Sequence, residues 1–74
     1  MENMLETYQG YLQQAEPDSS GAVAYGMIVD QLQNARSSLD AKNAIHTFEI
    51  MSSTSEQKAI FQAARYRLER MIRP

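Results

Sequence analysis

The side chains able to do chemistry in this chain are few, and their spacing argues against a catalytic centre. His46 is the one imidazole. A general base needs a reacting proton within reach and a further group to orient it. Glu49, three residues on, faces His46 across one helical turn, which is an ordinary surface pairing. Ser52, Ser53 and Ser55 gather around Thr54, but no G-x-S-x-G elbow surrounds them. Three glycines are too few to build a phosphate-cradling loop. The absence of cysteine excludes a thiolate nucleophile, a disulfide scaffold and a Cys-based zinc site, and a single histidine excludes a His-rich metal site. Glu16 and Asp18 flank a turn without the alternating oxygen ligands of a calcium loop. No catalytic, cofactor-binding or metal-ligating residue is assigned, and the chain is expected not to be an enzyme.

The remaining chemistry is cationic. Arg65, Arg67, Arg70 and Arg73, with Lys58 and Tyr66 nearby, crowd the C-terminal segment. Arginines at one helix end are able to contact phosphates and release counterions, so these four form a candidate nucleic-acid contact. Arg67, Arg70 and Arg73 advance by three and form a drifting stripe, Arg65 points elsewhere, and Glu69 interrupts the field. The charge is polarised along the chain. From Met1 to Ala35 five acids stand without a base, giving −5, and from Arg36 to Pro74 seven bases face four acids, giving +3. Such halves attract one another or serve two partners. The plainer reading is dipole matching, with Asp40 and Glu56 near helix starts and the arginines near a helix end.

The elements that must position these residues read as helices. Met4, Leu5, Tyr8, Tyr11, Leu12 and Ala15 make one apolar stripe, weakened by Gly10 by about 1 kcal/mol relative to alanine. Pro17-Asp18-Ser19-Ser20-Gly21 stops that helix and supplies a cap for the next. A second helix is expected from Gly21 to Arg36, with Tyr25, Ile28, Val29, Leu32 and Ala35 on one face and Ala22, Val23 and Met27 widening it. Ser37 or Ser38 is expected to cap a third helix, Ser37 making a loose capping box with Asp40 three residues on, and that helix carries Ala41, Ala44, Ile45, Phe48 and Met51. Ser53 followed by Glu56 matches the S-x-x-E capping box of a fourth, which carries Ile60, Phe61, Ala64, Leu68, Met71 and Ile72 and closes at Arg73-Pro74. The expected fold is all-α: three to four short helices in a single domain over 1–74, with an N-terminal helix over 1–16 that is either packed or mobile and a helical core over 20–73.

Seventy-four residues with 43% hydrophobic composition are one small domain of ordinary globular balance. A chain this short buries only about 60% of its unfolded surface, and neither disulfide nor metal staples it. Self-association is the expected remedy, as a two-fold homodimer that completes the bundle. The second helix is apolar around more than half its circumference, so Tyr25, Ile28, Val29 and Leu32 form the candidate dimer interface. Tyr8 and Tyr11 either cover the core or form a partner groove or a swap element. The longest apolar or small run, Ala22 to Val29, is too short to insert in a bilayer, and the acidic opening residues differ from the basic start of a secretion signal. A cytoplasmic location is expected.

The middle and end of the chain resemble a known group. Tyr25-Gly26-Met27-Ile28-Val29, Leu32, Ser38-Leu39, Lys42, Ile45, Phe48-Glu49, a short Ser/Thr/Glu turn and a helix closing at Leu68 resemble the YmgB/AriR family over Ala22 to Ile72. These are small enterobacterial regulators of biofilm formation and acid resistance, or connectors to the Rcs phosphorelay. Glu56 to Met71 is also similar to the Hha group of helical partners of nucleoid proteins, which carries an acidic residue near the place of Arg65. The resemblance implies an all-helical homodimer acting by protein contact, with DNA contact as an addition. Biofilm, acid stress and the phosphorelay come from the resemblance alone. The leading expectation is a small regulatory adaptor with a regulatory protein as its partner and no small-molecule substrate. The alternatives are a DNA-binding regulator using its basic last helix, and a chaperone or toxin-neutralising partner that buries apolar helices against a client.

Overall fold

The second, third and fourth helices each start where a hydroxyl satisfies a free N–H of the first turn. The computed structural model describes residues 2–72. Helix α1 spans Glu2–Gln14, α2 Ser20–Asn34, α3 Ser38–Met51 and α4 Ser55–Ile72. Ser19 accepts from the Ala22 N–H at 3.0 Å to open α2, and Ser37 accepts from Asp40 at 3.2 Å to open α3. The cap of α4 is Thr54, which accepts from Gln57 at 3.1 Å, and not the expected Ser53. The S-x-x-E motif does not close on itself because Glu56 is engaged elsewhere: its carboxylate accepts from the Ser20 hydroxyl at 3.1 Å. Helix α2 stops at Asn34, two residues short of Arg36, since Ala35 turns extended (ψ 143°) to bring Ser37 into its capping position. Between α1 and α2 the Ser19 N–H reaches the Glu16 carbonyl at 3.2 Å around Pro17 and Asp18. Asp18 carries φ 67°, the positive value that the third residue of a type II turn requires and that Asp tolerates better than most.

Helix α2 packs against all three others, while α3 and α4 form the most extensive pair, a hairpin joined by residues 52–54. Ile28 and Ala24 of α2, Ile45 of α3, and Ala64 and Leu68 of α4 are fully buried, and Met4 of α1 joins them. Phe48 and Phe61 meet across the α3–α4 seam with centroids 5.6 Å apart. Gly21 leaves space for the Glu56 carboxylate: a Cβ there would stand 2.6 Å from Oε1, and the Glu56 side chain would have to shift. Gln57 Nε2 donates to the Ser20 carbonyl beside it at 3.1 Å, so the first turns of α2 and α4 are tied together.

The placement of several apolar residues differs from the expected stripes. Ile28, Val29 and Leu32 are core positions within the single chain, and Tyr25, half-buried beside α1, keeps part of its surface in solvent. The core also closes without a second copy. The accessible surface is 4860 Å², close to the roughly 4600 Å² expected of a monomer of this mass. The radius of gyration is 11.3 Å, matching about 11 Å for a compact chain of this length. Helix α1 is packed, with Met4 and Tyr8 in the core. Met51, expected on the buried stripe of α3, is 75% exposed, and Ile50 beside it is also in solvent. Both lie in the last turn of α3, rotated away from the face that carries Ala41, Ile45 and Phe48.

Removing side-chain volume at the centre of α2 is the sharpest test of this packing. Ile28→Ala should lower unfolding stability by about 3 kcal/mol, within the usual range for aliphatic truncation in a core. Chemical denaturation followed by circular dichroism would measure it. A loss below about 1 kcal/mol would place Ile28 at a surface.

Candidate partner-binding groove

Three tyrosines converge where α1 leans away from α4. No Cα of α1 comes within 8 Å of a Cα of α4 among the described residues, so the gap between these helices is bridged by side chains. Tyr8 and Tyr11, three apart, lie on one face of α1, and Tyr25 approaches them from α2. Their centroids are 5.5 Å apart for Tyr8–Tyr11, 6.1 Å for Tyr8–Tyr25 and 5.5 Å for Tyr11–Tyr25, the first pair edge to face at 83°. Edge-to-face and tilted contacts suit the ring quadrupoles and hold the cluster rigid. The facing wall is α4, where Ala59, Ala63 and Arg67 recur every four residues with Ile60 beside them. The alanines leave room that larger side chains would fill. The result is an open groove of about 360 Å³, lined by Tyr8, Tyr11, Tyr25, Ala59, Ile60, Ala63 and Arg67.

The electrostatics of the groove come from Arg67. Its guanidinium carbon stands 5.6 Å from the centroid of Tyr8, a cation–π approach that spans the gap between α4 and α1. Burial pushes the Tyr8 phenol above its ordinary value, and Arg67 opposes that push. Tyr8 therefore remains a neutral hydroxyl at neutral pH. Rings, hydroxyls and one guanidinium are equipment for non-covalent recognition.

The predicted arginine cluster is divided by the structure. Arg65 turns to the α3 side of α4, where Nε donates to Glu49 at 2.7 Å and a terminal nitrogen donates to Glu69 at 2.9 Å. It is 15% exposed, and its guanidinium also stacks over Tyr66, 4.7 Å from the ring centroid. Arg65 is therefore committed to a structural bridge. Arg67 belongs to the groove, Arg70 is exposed in the last turn, and Arg73 lies outside the described residues. Among the three described arginines, Arg65 is drawn away from the others by its carboxylate partners. His46 stands in solvent with Nδ1 3.7 Å from Glu49, the surface contact its spacing implies. The Ser52 hydroxyl donates to the Phe48 carbonyl at 2.7 Å and closes the end of α3. No group of three metal-capable side chains gathers among the described residues. Within them, no helix is long and apolar enough to cross a membrane.

Periodicity leaves Tyr8 and Tyr11 a choice between core and groove, and the structure divides them: Tyr8 is buried, whereas Tyr11 is 45% exposed. The same periodicity assigns Tyr25 to a different surface and does not single out Ala59 and Ala63. The i, i+4, i+8 spacing of Ala59, Ala63 and Arg67 is a usable signal, since it puts two small residues and a cation on one line. Comparison with protein-family models, with curated proteins and with solved structures finds no match to this chain.

The α3–α4 bridge makes stability pH-dependent in a defined sense. The hydrogen bond from Arg65 holds the Glu49 carboxyl below its ordinary 4.5, against the opposing effect of burial. A depressed carboxyl stabilises the fold above its unfolded value, and the contribution is lost as pH falls through the folded one. Glu49→Gln should lower the thermal midpoint at pH 7, and the gap from wild type should close progressively below about pH 4.5. Melts across pH 2.5–7 (about half-unit steps) would show it. A gap unchanged at low pH would mean that the pair contributes nothing through its charge.

Proposed function

We propose that this chain is a small non-enzymatic regulatory adaptor that acts by holding a segment of a partner protein in the groove between α1, α2 and α4. The observation that carries the reading is the groove itself: rigid tyrosine faces on one side, small residues on the other, and an open side toward solvent. Tyrosine supplies large amphipathic contact area at low conformational cost and is enriched where proteins meet. Helical grooves of this kind take apolar anchor residues of an incoming segment. The resemblance of Ala22 to Ile72 to the YmgB/AriR regulators supports a role in stress-response or biofilm regulation by protein contact.

The DNA-binding alternative draws less support. Arg65 is tied to two carboxylates, so the arginines of α4 do not act together on a phosphate track. A chaperone-like role would suit a chain that leaves its core unfinished, and this core is closed. A second copy remains one candidate for the partner protein, and the test separates it from others.

Ala63→Leu fills the groove at an exposed position with a residue that suits a helix equally well. The variant should keep its fold and weaken a purified stoichiometric complex at least tenfold, about 1.4 kcal/mol. Partners captured on the wild-type chain, then reconstituted pure, would be titrated against both forms by calorimetry, with sedimentation equilibrium reporting self-association. A dimer lost in Ala63→Leu makes the chain its own partner. Partners that bind both forms equally would overturn the groove as the working surface. Binding confined to duplex DNA, falling steeply with salt, would favour the alternative.

A further inference from the structure

We infer that the segment received by the groove is acidic: an apolar side chain set against the tyrosines, with an aspartate or glutamate one or two residues away pairing with Arg67. The inference rests on the partner-segment reading above and names the chemistry of the partner. Its basis is a contrast between two arginines on one helix. Arg65 has two carboxylates within hydrogen-bond distance. Arg67, half-buried in the groove wall, has no carboxylate within 4 Å among the described residues. Its neighbours are the ring and neutral phenol of Tyr8 and the apolar lining. Neither carries a formal charge that would compensate the guanidinium.

A partly desolvated cation without a counter-ion favours an anionic occupant, because a charge-assisted hydrogen bond in a low-dielectric setting is roughly twice as strong as a neutral one. One guanidinium in an apolar groove suits one carboxylate. Phosphate sites on proteins gather several cations, and a nucleic acid would need a row of them. No acid lines the groove to compete for Arg67. The groove's volume of about 360 Å³ admits one large apolar side chain and its neighbour. Tyr11, Ala59 and Ala63 are exposed along its open side, so a chain can enter and leave without the bundle opening.

Selection from a phage-displayed library of random dodecamer peptides tests the inference without assuming a sequence. Wild-type protein should enrich peptides with an apolar residue and Asp or Glu one or two positions away, at least threefold above the library. Arg67→Gln should keep the apolar enrichment and lose the acidic one, and Arg67→Lys should restore it. A synthetic peptide from the wild-type selection should bind Arg67→Gln at least tenfold more weakly by fluorescence anisotropy. Circular dichroism melts would confirm that the variants fold, and the wild-type selection decides the matter even where one does not. Apolar enrichment without acids would overturn this inference and leave the adaptor reading standing. No enrichment relative to Ala63→Leu would overturn both.

Discussion

Three helices close on α2, and the molecule's other features depend on that burial. Its apolar face is too wide for one neighbour to cover. Ile28 and Ala24 are fully buried, and Gly21 leaves room for the Glu56 carboxylate of α4 to lie against the first turn of α2. At this contact the first turns of α2 and α4 share Glu56, Ser20 and Gln57. Glu56 places a carboxylate beside the positive end of α2, whose own first turn carries no acid. A residue that sequence places in a local cap thus serves as a long-range tie.

The groove is a by-product of the same arrangement. With α2 wedged against both α1 and α4, those two helices cannot approach each other closely. Large rings on α1 and α2 fill part of the gap and small side chains on α4 leave the rest open. Arg67 spans the gap, and Arg65, two residues away and so on nearly the opposite face of the helix, binds α3 through Glu49. About 200° of helical rotation puts the two arginines on different faces of α4, and their neighbours then place one in the groove and the other in a structural bridge.

Despite its small size, the single chain encloses a core. A short chain is marginal when its apolar area is poorly used. Here close packing is achieved with alanines at the tightest positions: Ala24, Ala41 and Ala64 are all fully buried, one on each of three helices. Small residues let backbones approach, so the larger side chains Ile28, Ile45, Phe61 and Leu68 meet in one cluster. Of the apolar side chains left outside, Ile50 and Met51 are the most exposed and lie in the last turn of α3, while others such as Tyr66 stand in solvent along a helix.

Helix number, the order of elements and most core positions were legible from the amino-acid pattern, because 3.6-residue periodicity and capping hydroxyls are local properties that neighbours along the chain encode. Ile28, Val29 and Leu32 were legible as buried, but not as buried within one copy. Which apolar face meets which is a non-local choice, made by the volumes of alanines and glycine on other helices. The same limit applies to the arginines. Composition shows four in one segment, whereas their partners Glu49 and Tyr8 come from α3 and α1. Only the packed structure decides that Arg65 is neutralised, that Arg67 is left with a ring and no carboxylate, and that three tyrosines distributed over two helices share one groove.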